Sequence, residues 1–366
     1  MRFGLLTIGD ELLNGKVLDR NKLHIGRLVD SLGGELYVQV STPDDLPAME
    51  QAFQFALSRC DTLFMTGGLG GTHDDLSFTL VNKVFPDAEA EEIVNQVGIA
   101  SGWILKRDQK TLILLPGPPR ENLPMIRQLH EKLQTDTICE HFYLLVGIGE
   151  VEIETRLRDN LGEENTRYFA TYVGDGFTTL RVRAPEQEIC QAIAKQVEEL
   201  FKKEIYATGD ETIPLRVFSL LKESNKTLAL AESASCGGIA SLLSEVSGMS
   251  DVLYGSYVVY TPEAKSRMLH LDADVLQGDC VGEQITRQLA QAARKESGCD
   301  YALALTGYAE HEDPLKHGRI YVSMCSEERE ESLFFQLRQN RGANLVRMSY
   351  RALAFAIDFL LKNNDM

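Results

Sequence analysis

Residues Thr227 to Ala240 read TLALAESASCGGIA, and their interpretation decides the fold of the C-terminal part of the chain. Small and aliphatic residues run into Glu232. Ser233, Ala234, Ser235 and Cys236 follow, then Gly237 and Gly238, before an apolar pattern of helical spacing resumes. A short apolar run ended by small residues and glycines predicts a buried strand that passes through a tight turn into a helix. Such a unit holds a hydroxyl at the turn. On these residues alone Ser233 is either a nucleophile or an ordinary turn residue.

The surrounding sequence repeats the strand-helix rhythm. A helix is predicted through IPLRVFSLLKES, strands near TLALA, GSYVVY, YALALT, RIYVSMC and SLFFQLR, and a closing apolar helix through NLVRMSYRALAFAIDFLL. The first 135 or so residues alternate in the same way, with strands at RFGLLTI, ELYVQVS, TLFMT and TLILL and a helix through MEQAFQFAL. Alternation of this kind predicts largely parallel sheets with ligands beyond the strand C-termini. Between them the pattern changes to strand-turn-helix (FYLLVGIGEVEIETRLRD), two strands (TRYFATYV, TTLRVRA) and a helix (QEICQAIAKQVEELFKK), which predicts a small α+β unit. The expected architecture is therefore multidomain α/β. Two three-layer domains, 1–138 and 209–366, are joined by a small α+β domain, 139–208, whose role is to connect or dimerise.

Length and charge bound the function. At 366 residues the chain is long enough for two or three domains. A net charge of -17 argues against nonspecific attraction to nucleic acid or to an anionic membrane. Any phosphate ligand then needs a local device such as a backbone nest or a placed cation. Seven scattered cysteines with no C-x-x-C pair read as reduced thiols, not as a disulfide framework or a zinc site. The N-terminus MRFGLLTIGDELL lacks the apolar core of a signal peptide, and no stretch approaches a membrane span in length. A cytoplasmic protein is expected.

A second constellation, TGGLGGTHDD, follows a strand and opens a helix, with four glycines in five positions. Gly67, Gly68, Gly70, Gly71 and Thr72 would let the backbone approach a phosphate closely. Asp74 and Asp75 beside a phosphate imply a divalent metal between them, with Asp10, Glu11 and Asp19 converging from the first loop and the next helix. The alternative is a tight turn with Asp74 or Asp75 as a helix cap.

GDELLNGKVLDRN, TGGLGGTHDDLS, NQVGIASGW and LPGPPRENLPM, in this order, resemble the N-terminal half of the CinA family. That half is similar in fold to molybdopterin-binding domains, and the resemblance implies metal-dependent hydrolysis of ADP-ribose. Gly147 to Glu150 (GIGE) match the family's middle domain, and residues 210 to 362 resemble its nicotinamide-nucleotide amidase domain. There the family's A-E-S turn and Y-x-x-E-A-K stretch correspond to Ala231-Glu232-Ser233 and to Tyr260 and Lys265. The implied roles are Ser233 as nucleophile, Lys265 as base, and Tyr260 as orienting group or proton donor. Glu232, Gly237, Gly238, Thr306 and Gly307 are expected to bind substrate, with the backbone amides of the Gly237-Gly238 helix start available to stabilise the oxyanion. No metal is required for this step, and the implied substrate is nicotinamide mononucleotide or a related nucleotide.

Four departures accompany the match. Gly71 stands where the family has proline, and the stretch between DDLS and LPGPPRE lacks the family's longer helical insert. The turn reads A-E-S-A-S-C-G-G, one residue longer than A-E-S-C-T-G-G, so counting from the strand selects Ser233, counting from the glycines selects Ala234, and Ser235 is a third candidate. After Thr306-Gly307 the acidic stretch YAEHEDPLKHG replaces a glycine- and proline-bearing loop. The readings in play are an amidohydrolase, a metal-dependent pyrophosphatase, and a non-catalytic nucleotide-binding or assembly protein that keeps the fold. The amidase stands first because its three candidate residues are all present. A homodimer is expected from the middle unit and the apolar closing helix.

Overall fold

The structure is a computed structural model that describes residues 2–70, 76–133, 139–184, 186–272, 276 and 278–364. The chain divides into two compact units, 1–138 and 139–366.

The first unit carries a six-stranded sheet of β1 (Arg2–Ile8), β2 (Glu35–Thr42), β3 (Thr62–Thr66), β4 (Glu89–Ile93), β5 (Gly102–Arg107) and β6 (Lys110–Leu115), in the order β2-β1-β3-β6-β5-β4. The first four in that order are parallel, and β5 and β4 complete the sheet antiparallel. Its helices are α1 (Asp10–Leu13), α2 (Arg20–Ser31), α3 (Leu46–Leu57), α4 (Ser77–Val84) and α5 (Pro119–Lys132). Successive side chains of a strand face opposite sides, and β1 and β3 are apolar on both. Phe3, Leu5 and Phe64 pack with Ile25, Leu28 and Met125 of α2 and α5. Leu6, Leu63 and Met65 pack with Met49, Phe53 and Leu80 of α3 and α4. A strand buried on both faces requires helices on both, which makes three layers.

The second unit holds two sheets. The smaller is antiparallel, with β7 (Cys139–Leu145), β8 (Phe169–Val173), β9 (Thr178–Ala184) and β10 (Ile205–Thr208) in the order β10-β7-β9-β8. Helices α6 (Glu150–Leu161) and α7 (Gln187–Leu200) cover it through Ile153, Leu157, Ile193 and Val197. The larger sheet comprises β11 (Leu228–Glu232), β12 (Leu253–Val258), β13 (Tyr301–Gly307), β14 (Arg319–Cys325) and β15 (Glu330–Gln336), in the order β12-β11-β13-β14-β15. Its helices are α8 (Ile213–Glu223), α9 (Gly238–Ser244), α10 (Pro262–Leu269), α11 (Glu283–Ser297) and α12 (Arg341–Asn364). Leu228, Leu230, Leu303 and Leu305 pack toward α8 and α12, while Ala229, Ala231, Ala302 and Ala304 pack toward α11. The small residues on the α11 side let that helix lie close to the sheet.

Residues 139–208 do more than connect. Val146 and Ala207 sit in the core of the following segment, and Tyr206 donates a 2.9 Å hydrogen bond to Asp358 of α12. No helix among the described residues is long and apolar enough to cross a membrane.

Candidate active site

The turn after β11 lies between two parallel neighbours, β12 and β13, which pair with β11 along its length. The Ser233 amide donates to the Leu305 carbonyl at 3.0 Å, so the strand register carries one residue past Glu232 before the chain breaks away. Cys236 (φ 50°) and Gly237 (φ 92°) then adopt left-handed backbone in succession. Two consecutive left-handed residues reverse the chain sharply, and only glycine does so without steric cost. Ala234 points into the core, and the Ser235 hydroxyl donates to Glu232 Oε2 at 2.8 Å. Of the three candidates at the turn, only Ser233 meets the lysine.

Lys265 Nζ lies 3.0 Å from Ser233 Oγ and donates to the Val259 carbonyl at 3.0 Å and, at 3.5 Å, to that of Tyr260. Lys265 is 2% exposed, and no carboxylate lies within ion-pair distance of it among the described residues. Its position follows from local sequence: Thr261 caps α10 through the Ala264 amide, Pro262 starts the helix, and the lysine falls on the buried face with Leu269. Burial disfavours the charged form, so the ammonium is held below its ordinary value, with the Cys280 thiol acting the other way. A lysine with a lowered pKa beside a serine hydroxyl can take up that hydroxyl's proton. The Ala234, Ser235 and Gly237 amides make no hydrogen bond among the described residues, so donors remain at the turn for a developing oxyanion.

Glu232 has a different task from the substrate contact expected of it. It is 0% exposed and accepts from the Ile239 and Ala240 amides at 2.9 and 3.0 Å and from the Ser235 and Ser256 hydroxyls at 2.8 and 2.9 Å. These four donors satisfy the carboxylate and cap the first turn of α9. Thr306 is likewise internal: it shares a 2.7 Å hydrogen bond with Thr286, which ties β13 to α11. A Cβ on Gly307 would stand 2.5 Å from the Arg319 carbonyl, and one on Gly238 2.8 Å from Ser349 Oγ. Both glycines therefore serve close packing.

Tyr260 lies beside the lysine and has two contacts of different kinds. Its carbonyl faces Lys265, while its half-exposed hydroxyl accepts from Arg341 Nη2 at 3.0 Å. Arg341 opens α12 and escaped the sequence reading, although a basic residue just before an apolar helix in an acidic chain was a usable signal. The acidic loop proves largely self-contained. Asp313 Oδ1 accepts from the Leu315 amide at 2.9 Å, its carbonyl accepts from the Lys316 and His317 amides, and Lys316 pairs with Asp279. The Ala309 carbonyl is held by Asn344 of α12 at 2.7 Å.

In the first unit, Gly71, Thr72, Asp74 and Asp75 lie outside the described residues. Gly67 has φ 99°, and a Cβ there would stand 2.4 Å from the Ile8 carbonyl, so the β3 turn closes tightly against the end of β1. Gly68 follows, also left-handed, and its carbonyl accepts from the Ser77 amide; Gly70 is exposed. A cavity of about 300 Å³ opens beside this turn, lined by Glu11, Asp19, Asn21, Thr66 and Gly117. Asp10 does not line it; its amide instead donates to Asp44. Asp19 Oδ2 and Asn21 Oδ1 are buried with no hydrogen-bond partner. These are hard donors of the type a divalent cation takes, but Arg20 lines the same cavity and no three His, Cys, Asp or Glu ligand atoms come together there among the described residues, so the cavity does not by itself fit the implied metal.

Comparison with known proteins places these observations in a family. Residues 4–135 match the sequence family described as a probable molybdopterin binding domain, and residues 210–361 match the CinA C-terminal domain. A CinA-like protein of Thermotoga maritima is 31% identical over 346 residues, covering 83% of this chain and 84% of its own. A relative from Lysinibacillus sphaericus, named for competence-damage induction, is 29% identical over 99% of this chain and 97% of its own. The solved competence damage-inducible protein A of Klebsiella pneumoniae is 22% identical, with a TM-score of 0.39 over 41% of this chain and 95% of that chain. On the strength of the Thermotoga relative and the two domain matches, the chain belongs to the CinA family.

Proposed function

We propose that this protein is an amidohydrolase that converts nicotinamide mononucleotide to nicotinate mononucleotide with release of ammonia. The observation that carries the reading is the buried Lys265 ammonium 3.0 Å from Ser233 Oγ, with no carboxylate within ion-pair distance of it among the described residues. In the neutral form Lys265 accepts the Ser233 proton as Oγ attacks the carboxamide carbon. The negative charge that develops on the carboxamide oxygen meets the unengaged amides of the turn. Lys265 then returns the proton to the departing nitrogen, ammonia leaves, and an acyl-serine ester remains. A water molecule, deprotonated by the same amine, hydrolyses the ester and restores Ser233.

Ammonia release from nicotinamide mononucleotide by the purified chain tests this directly. Ser233→Ala and Lys265→Ala are expected to abolish it, whereas Ser235→Ala, which loses only a bond to Glu232, is expected to keep it. Turnover that survives Ser233→Ala would overturn the assignment. Absence of turnover together with thermal stabilisation by the nucleotide would instead select the non-catalytic binding protein.

A further inference from the structure

Cysteines without a C-x-x-C spacing lead the sequence to be read as lacking a zinc site, yet the fold assembles a ligand cluster from distant positions. Cys139 and His141 are alternate residues of β7 and so share one face of the strand. Cys139 pairs with Ala184, the last residue of β9, and the buried face of α7, which begins at Gln187, carries Cys190 to the start of β7. Cys139 Sγ lies 3.8 Å from His141 Nε2, and the two sulfurs and this ring nitrogen all lie within 4.8 Å of one another.

The spacing suits a specific class of ion. Thiolate sulfur at about 2.3 Å and imidazole nitrogen at about 2.0 Å from a tetrahedral zinc ion stand roughly 3.5 Å apart. The 3.8 Å between Cys139 Sγ and His141 Nε2 needs only a small contraction, and Cys190 Sγ has at most about an ångström more to close. Two sulfurs and an imidazole also select soft or borderline cations over magnesium or calcium. The ring of His141 lies parallel to that of Tyr143, two residues on along the same strand face, at 6.3 Å and 9°, and the Tyr143 hydroxyl donates to Glu198 of α7 at 3.0 Å, which fixes the strand face against the helix. Cys190 is fully buried, while Cys139 and His141 are half-buried and leave an entry path.

We propose that Cys139, His141 and Cys190 bind one zinc-class divalent cation, which clamps β7 to α7 and keeps a fourth coordination position open. This function is separate from the amidase chemistry and does not depend on it.

Cobalt(II) titration of the full-length, reduced chain tests the site. The expected result is one equivalent bound with a thiolate-to-cobalt charge-transfer band, displaced by zinc and accompanied by a raised Tm. Cys139→Ser should abolish the band, and His141→Ala should weaken affinity at least tenfold. Cys190 is fully buried and its replacement could unfold the domain, so the Cys139 and His141 variants decide the matter. A chain that binds no cobalt, one in which mass spectrometry finds a Cys139–Cys190 disulfide after full reduction and transfer to buffer, or one whose metal binding is indifferent to both variants would overturn the proposal.

Discussion

Lys265 Nζ and Ser233 Oγ stand 3.0 Å apart inside the protein, and the lysine's other hydrogen bonds among the described residues go to main-chain carbonyls, which can accept but cannot neutralise. A charged amine in that position is poorly solvated, which favours the neutral base. Lys265→Arg should therefore be as inactive as Lys265→Ala, because a guanidinium stays protonated at any working pH. Loss of at least about a hundredfold in kcat is expected from removing the base, with far-ultraviolet circular dichroism unchanged. Substantial activity in the arginine variant would show that positive charge, and not proton uptake, is what the position supplies.

The same pKa sets a pH dependence of stability. The folded value is lowered, so between it and the unfolded value the unfolded chain binds more protons and stability rises with pH. Below both values the folded state bears the full cost of the buried charge, and above both it bears none. Lys265→Met should be more stable than the parent at neutral pH, by about 1 kcal/mol. The gap should close as pH passes the ordinary lysine value of about 10.4. Urea unfolding of both chains across this range is the measurement, and a gap independent of pH would count against the assignment.

Glu232 marks the opposite case, a buried carboxylate surrounded by donors. Its removal leaves two α9 amides and two serine hydroxyls without their acceptor. Glu232→Ala is expected to cost about 3 kcal/mol or more in unfolding free energy, against about 1 kcal/mol for Ser235→Ala. If Glu232→Ala unfolds with the parent's midpoint, the carboxylate is not the cap that the hydrogen bonds describe.

Much of this arrangement was legible in the sequence. Alternating apolar strands and helices announced both layered sheets, because β1, β3, β11 and β13 are buried on both faces and read as continuous apolar runs. The hairpin of β4 and β5 was not legible. Glu89, Ala90, Glu91 and Glu92 are exposed on an edge strand, so no hydrophobic period survives there. The choice among Ser233, Ala234 and Ser235 also needed coordinates, since it turns on where two left-handed residues reverse the chain. The cluster of Cys139, His141 and Cys190 escaped for a related reason: sequence spacing records contacts within a strand or helix, but not between a strand and a helix that a third element brings together.

Arg341 and Tyr260 carry the last prediction. The guanidinium donates to the tyrosine hydroxyl at 3.0 Å, next to the residue whose carbonyl faces Lys265, and both side chains are exposed at the rim of the site. In a chain of net charge -17, an arginine at that rim would supply, under the proposed amidase reading, a local cation for the phosphate of the nucleotide. Arg341→Ala should raise KM for nicotinamide mononucleotide about tenfold while leaving kcat nearly unchanged, the pattern of a lost uniform binding contact. Tyr260→Phe removes the acceptor but not the cation and should have a smaller effect on KM. Because the arginine is exposed, added salt should raise KM for the parent more steeply than for Arg341→Ala. A variant that instead loses kcat with KM unchanged would place Tyr260 and Arg341 in the chemical step, with the tyrosine hydroxyl as the proton donor to the departing ammonia.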